Sequence, residues 1–241
     1  MDARHLNYTA QDGTQLHSRL YLPANTDQAH AGVLVFPEWW GVGEHVLHSA
    51  ERLAHSGYAA LAVDLYGNGL LTDKAEEANR HMSHLLSHPE KLVERCDLAL
   101  AALRHADNVD GTRIAAIGFC FGGRVVLDMA RRGADVNAVA SFHGILATDT
   151  PARAGAVKAA ILVEHAGGDS MVGMDDVAAF RAEMDAAGAD YRIDVFEHAK
   201  HGFTNPQATA NGERNGVDLA YNADAAADAW VNMLAFFGKH L

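Results

Sequence analysis

Cysteine is scarce in this chain: Cys96 and Cys120 are the only two among 241 residues. That excludes a disulfide framework, leaves no CxxC pair, and points to a reducing compartment. Basic charge is short as well, with 19 Lys and Arg against 31 Asp and Glu, a formal net charge of −12. Phosphate backbones and anionic lipid are repelled by such a field, so neither nucleic acid nor a membrane surface is an expected partner. No window approaches the roughly 18 apolar residues that a membrane span requires. The opening Met1-Asp2-Ala3-Arg4-His5-Leu6 lacks the basic stretch and apolar run of a signal peptide. A cytoplasmic protein is expected. What the chain does have is the balance of a globular fold, 49% hydrophobic and 21% charged. Its length fits a single α/β domain over residues 1–241, since such folds of roughly 200 to 250 residues routinely share one core.

Residues 4–9 and 14–22 read as short strands around Asp12-Gly13, whose readily adopted positive φ suits a tight hairpin. The apolar run Gly32 to Phe36 then leads into Pro37-Glu38-Trp39-Trp40-Gly41 and a helical pattern over 44–56. Tyr58 to Asp64 reads as a buried strand, followed by helical stretches broken near Pro89. Further strands are expected at 114–118, 138–142, 159–164 and 191–196, with helices running to about Arg132, over 175–187 and over 218–240. The polar stretch Gln207 to Asn215 reads as a long flexible loop bordering the active site. Apolar strands alternating with amphipathic helices predict an α/β fold of the α/β-hydrolase kind. It would have a mostly parallel sheet of about eight strands, an antiparallel N-terminal hairpin and helices on both faces.

The sharpest local signal is Gly118-Phe119-Cys120-Phe121-Gly122-Gly123, of the form G-x-C-x-G between a strand and a helix. Such a turn holds its central residue in strained geometry, and flanking glycines remove the Cβ atoms that would collide. Cys120 would then sit at a helix N-terminus, whose dipole favours a thiolate, with the Phe121 N–H available to an oxyanion. A buried structural cysteine in a Gly-rich turn is the competing explanation. Cys96, with no such turn, is assigned to helix packing.

A nucleophile turn of this kind requires an acid and a histidine later in the chain, each after a further strand. Gly167-Gly168-Asp169 and His198-Ala199-Lys200-His201-Gly202 meet that order. Asp169 is the candidate acid and His201 the candidate base. His198 competes, but it lies nearer the strand end and lacks a following glycine. The loop after the Gly32 to Phe36 strand offers Trp39 as a second oxyanion donor, with Glu38 beside it to hold or deprotonate the thiol. Trp40, Phe203 and His143 complete the candidate substrate-binding set; Trp39, Trp40, Phe121 and Phe203 would either wall an apolar pocket or fill core.

These residues together resemble the dienelactone hydrolase (carboxymethylenebutenolidase) family. The likeness runs from Pro37-Glu38-Trp39-Trp40-Gly41 through Val63-Asp64-Leu65-Tyr66-Gly67, Gly118 to Gly123 and Gly168-Asp169 to His201-Gly202-Phe203. The resemblance implies a Cys120, His201 and Asp169 triad that opens an ester or lactone through an acyl-thioester, with Glu38 contacting the nucleophile. It also implies an arginine shortly after the histidine to grip a substrate carboxylate. Gly202-Phe203-Thr204-Asn205-Pro206-Gln207 carries none; Lys74 or Arg80 would supply a positive charge instead, with a solvated surface position the preferred reading of both.

The expectation is a hydrolase of a small-molecule ester or lactone, working without a cofactor, as a monomer or homodimer. Two other readings stand beside it: a catalytically silent relative binding a small ligand or protein partner, and a metal site on His81, His84 and His88, spaced i, i+3 and i+7. A solvated histidine-rich face is preferred to the metal, for want of a carboxylate partner.

Overall fold

A computed structural model describes residues 3–25 and 27–241. Residues 1, 2 and 26 lie outside it, and with them the first two positions of the N-terminal reading. The chain divides into two compact units, residues 1–116 and 117–241.

In the first unit β1 (Arg4–Thr9) and β2 (Gln15–Tyr21) form the expected antiparallel hairpin. Its turn is closed by Asp12, whose Oδ1 accepts from Thr14 N at 3.1 Å, the short side chain satisfying a backbone donor that a tight turn exposes. β3 (His30–Phe36) is buried along its whole length, and the helix α1 (Glu44–His55) turns Val46, Ala50 and Leu53 inward at helical spacing. β4 (Ala59–Ala62) runs parallel to β3 and antiparallel to β2. Two helices follow, α2 (Ala75–Leu86) and α3 (Pro89–Arg104). Proline at the first position of α3 explains the break between them, because it cannot donate into a preceding turn but suits a helix start. β5 (Val109–Phe119) runs from this unit into the next.

The second unit holds α4 (Phe121–Arg131), β6 (Ala138–Phe142), β7 (Ala160–Ala166), α5 (Met174–Ala187), β8 (Tyr191–Phe196), α6 (Ala208–Asn215) and α7 (Ala223–His240). β6, β7 and β8 are parallel neighbours, and β6 and β7 are buried throughout, as strands covered on both faces must be. The eight strands are ordered β1-β2-β4-β3-β5-β6-β7-β8 in a mixed sheet, the α/β-hydrolase arrangement expected.

Two expectations need correction. Gln207 to Asn215 is not a flexible loop: Ala208–Asn215 is helical. The helix buries only Ala208 and Gly212, so no apolar stripe marks it in the sequence. The last helix starts at Ala223 rather than near Asp218, because Asn222 caps it, its Oδ1 accepting from Ala225 N at 3.1 Å. The preceding segment is held instead by Ala220 N, which donates to His201 O at 3.2 Å.

Candidate active site

Cys120 occupies the junction of β5 and α4 with φ 51° and ψ −111°. A positive φ is unfavourable for a residue with a Cβ, and the turn is over-determined by its neighbours. Cys120 N donates to Phe142 O at 3.1 Å, and Cys120 O accepts from Arg124 N at 3.2 Å. A Cβ at Gly118 would stand 2.0 Å from Gly122 O, so only glycine lets strand and helix approach this closely. On the other side the close neighbour is Gly123, whose Cβ would fall 2.6 Å from Gly144 Cα. The helix begins at Phe121, which puts the half-exposed Cys120 at its N-cap.

Asp169 sits just past β7, and its side chain is tied down on both oxygens. Oδ1 accepts from Met171 N at 2.8 Å and Val172 N at 3.1 Å, while Oδ2 is 2.7 Å from His201 Nδ1. Burial alone would favour the neutral acid, but the hydrogen bonds from His201, Met171 and Val172 outweigh it and hold the carboxyl below the usual aspartate range. The two glycines before it let the acid turn lie against the base loop. Gly167 N donates to Phe196 O and Gly168 N to Ala199 O, both at 2.9 Å, and a Cβ on Gly167 would be 2.8 Å from Glu197 Cα.

His201 is 3% exposed, enough to say that its ring is shielded from water. Burial pushes its pKa down, yet the Cys120 sulfur, with which the ring shares a side-chain hydrogen bond, and the Asp169 carboxylate together raise it to about 10. With Nδ1 on Asp169, the other ring nitrogen serves Cys120. A sulfur at a helix N-terminus, an imidazole and a carboxylate thus form one hydrogen-bonded line, the arrangement that lets a thiol act as nucleophile while the imidazole carries its proton. His198, the competitor, is exposed.

The remaining sequence candidates divide. Phe121, Phe203 and His143 are fully buried and Trp40 nearly so, leaving Trp39 half-exposed. Phe121 and Phe203 therefore pack as core, and the His143 side chain reaches Thr204, its Nε2 2.7 Å from Oγ1. In the first unit Glu38 is buried, with Oε2 3.8 Å from His45 Nδ1. Trp39 O accepts from Tyr66 OH at 2.9 Å, and the Trp39 and Trp40 rings meet edge to face at 4.9 Å. Lys74 and Arg80 are exposed, Arg80 lying 3.6 Å from Glu77. Among the described residues no group of three or more His, Cys, Asp or Glu gathers to hold a metal, and no helix is long and apolar enough to cross a membrane.

Two titratable groups beside the acid turn are not singled out by the sequence: Glu164 ends the expected strand and His165 follows it, and both lie within β7. His165 is buried with neither ring nitrogen hydrogen-bonded. Burial holds it below the usual histidine range even with Asp169 nearby, so it stays uncharged and leaves that carboxylate to His201. Glu164 points into the core, where neither carboxyl oxygen meets a partner at good geometry; the Asn232 amide turns to Asp194 Oδ2 at 3.4 Å. Burial first, and the Asp194 carboxylate second, raise Glu164 to about 8, with Arg192 and Asn232 pulling the other way.

Residues 16–241 match the profile of the dienelactone hydrolase family. A solved structure named m3DLH is 34% identical, with a TM-score of 0.91 over 100% of this chain and 98% of its own. The dienelactone hydrolase-like promiscuous phosphotriesterase P91, from metagenomic libraries, is 32% identical with the same TM-score, over 99% and 98%. A Yersinia pestis protein provisionally named carboxymethylenebutenolidase is 26% identical over 95% of this chain and 85% of its own length.

Proposed function

Given that the chain belongs to the dienelactone hydrolase family, we propose that it hydrolyses a small ester or lactone with Cys120 as nucleophile, His201 as general base and Asp169 as the group that orients the base. The observation that supports this reading above all is the hydrogen-bonded line from the half-exposed Cys120 through buried His201 to buried Asp169, closed by the 2.7 Å contact of the last two. The sulfur attacks the carbonyl carbon as thiolate, a C–S bond forms, and the carbonyl electrons move onto oxygen, where Phe121 N–H at the start of α4 is the assigned donor. The intermediate collapses, the C–O bond breaks, and the leaving oxygen takes the proton that His201 holds. Water then gives a proton to His201 and its hydroxyl to the thioester. The C–S bond breaks, and thiolate and imidazolium are restored as the acid leaves.

The parts assigned to Trp39, as second donor, and to Glu38, beside the sulfur, rest on the family resemblance. With no arginine at 202–207, an ester without a second carboxylate is the favoured substrate. A phosphotriester is a second electrophile for the same thiol, favoured by the likeness to P91.

The test is a panel of p-nitrophenyl esters and one p-nitrophenyl phosphotriester, run with and without iodoacetamide. Turnover is expected to be thiol-sensitive and to fall at least about 10³-fold in Cys120→Ala, with an acyl adduct on Cys120 visible by mass spectrometry. Ester turnover retained in that variant removes the nucleophile from this account. A complete lack of thiol-sensitive turnover favours the silent, ligand-binding relative.

A further inference from the structure

Among the described residues, four other than glycine have positive φ: Asn68, Asn108, Cys120 and His143. Asparagine tolerates that region through its short polar side chain, and Cys120 is the turn already described. His143, at φ 39° just past β6, remains. Histidine bears such geometry better than most residues, yet the conformation still costs free energy and persists only where surrounding contacts enforce it.

Those contacts reach all three segments of the candidate site. Phe142 O, one residue earlier, accepts from Cys120 N at 3.1 Å, and Gly144, one residue later, lies against Gly123 of α4. His143 N donates to Glu164 O on β7 at 2.8 Å, five residues before Asp169. The His143 side chain meets the base loop: Nε2 pairs with Thr204 Oγ1 at 2.7 Å, and the ring packs edge to face with those of His201 and Phe203, centroids 5.4 Å and 5.3 Å apart. The bond to Asp169 fixes Nδ1 and the bond to Cys120 lies at the half-exposed rim, so the tilt of the ring between them is set by what packs against it.

We propose that His143 is a positioning residue that fixes the plane of the His201 ring, by edge contact with it and by holding Thr204 of the same loop. This rests on the nucleophile, base and acid assignments above. It differs from a substrate-binding part for His143, because the side chain is fully buried and spends its Nε2 on Thr204. Small errors in the aim of a general base cost rate rather than affinity, on the order of 10²-fold for a displacement near 1 Å.

The experiment measures steady-state kinetics on the ester that the panel selects, together with the rate of Cys120 alkylation by iodoacetamide at neutral pH. His143→Leu and Thr204→Val are each expected to lower kcat by about 10- to 100-fold while KM changes by less than about threefold. Alkylation should slow in parallel, and the double variant should be no worse than the poorer single. His143→Gln, whose amide can reach Thr204, should recover part of kcat. Where His143→Leu fails to fold, Thr204→Val and His143→Gln decide the matter alone. Folded variants with wild-type kcat and alkylation overturn the positioning role. So does a loss confined to KM. Cys120→Ala keeps the two failures apart: turnover surviving in it overturns the nucleophile assignment, whereas turnover lost there but intact at 143 and 204 overturns positioning only.

Discussion

His81, His84 and His88 follow one another along α2 and the turn after it, whereas His143, His165 and His201 lie just past β6, within β7 and in the loop after β8. The first set is solvated. His81 lies 4.0 Å from Glu77, His84 and His88 stack on each other with ring centroids 4.4 Å apart, and among the described residues no group of three or more His, Cys, Asp or Glu gathers there. The second set is buried, and one member has a carboxylate at 2.7 Å and a sulfur on its other side. Helical spacing alone thus brings imidazoles together without taking them out of water. Chemistry begins where exclusion of water and a fixed partner set each ring's charge.

The contrast breaks most visibly at its charged member. His201→Asn and Asp169→Asn are each expected to lower kcat on the chosen ester by about 10³- to 10⁴-fold, measured by steady-state kinetics on folded protein. A loss below tenfold in both would mean that the buried histidine differs from the solvated ones in location only.

An effect of intermediate size concerns Glu164, which shares this buried neighbourhood. Its folded value of about 8 lies above the ordinary 4.5, so the folded chain keeps a proton that the unfolded chain releases. This group's contribution to stability is full below about pH 4.5, declines as pH rises, and is lost above about pH 8. Glu164→Gln, neutral at every pH, should therefore melt higher than the wild type at pH 9, with the gap closing toward pH 5. Each kcal/mol recovered corresponds to roughly 2 to 4 °C. Melting curves that run parallel across that range would show that Glu164 meets water or a partner when ionised.

The smallest effect is expected on the other side of the comparison. Replacing His81, His84 and His88 together by alanine should leave ester turnover unchanged and alter stability by no more than about 0.5 kcal/mol per site. Equilibrium dialysis against zinc should find no stoichiometric site lost. A zinc ion bound by the wild type and absent from the triple variant would reverse the assignment of that face.

Much of this was legible in the sequence, for reasons specific to each residue. Glycines crowd where backbones touch, so Gly118 and Gly167 marked the turns that carry Cys120 and Asp169, and Gly202 favoured His201 over His198. The mostly parallel sheet of about eight strands followed from apolar runs that must be covered on both faces. What escaped were features fixed by distant partners. Helix α6 has too small a buried face to give a periodic signal. The position of His143 depends on Thr204 and on Glu164 O, which lie 61 and 21 residues away in the chain. Gly123, read only as part of a motif, owes its place to Gly144 on the corner after β6.

The lacing of the acid turn to the base loop, Gly167 N to Phe196 O and Gly168 N to Ala199 O, joins main chain to main chain. Amides and carbonyls are the same whatever side chain hangs beside them. The spacing of carboxylate and imidazole is therefore insulated from substitutions at exposed positions such as Glu197 and His198. Side chains along that edge are free to change while Asp169 and His201 beneath them stay in register.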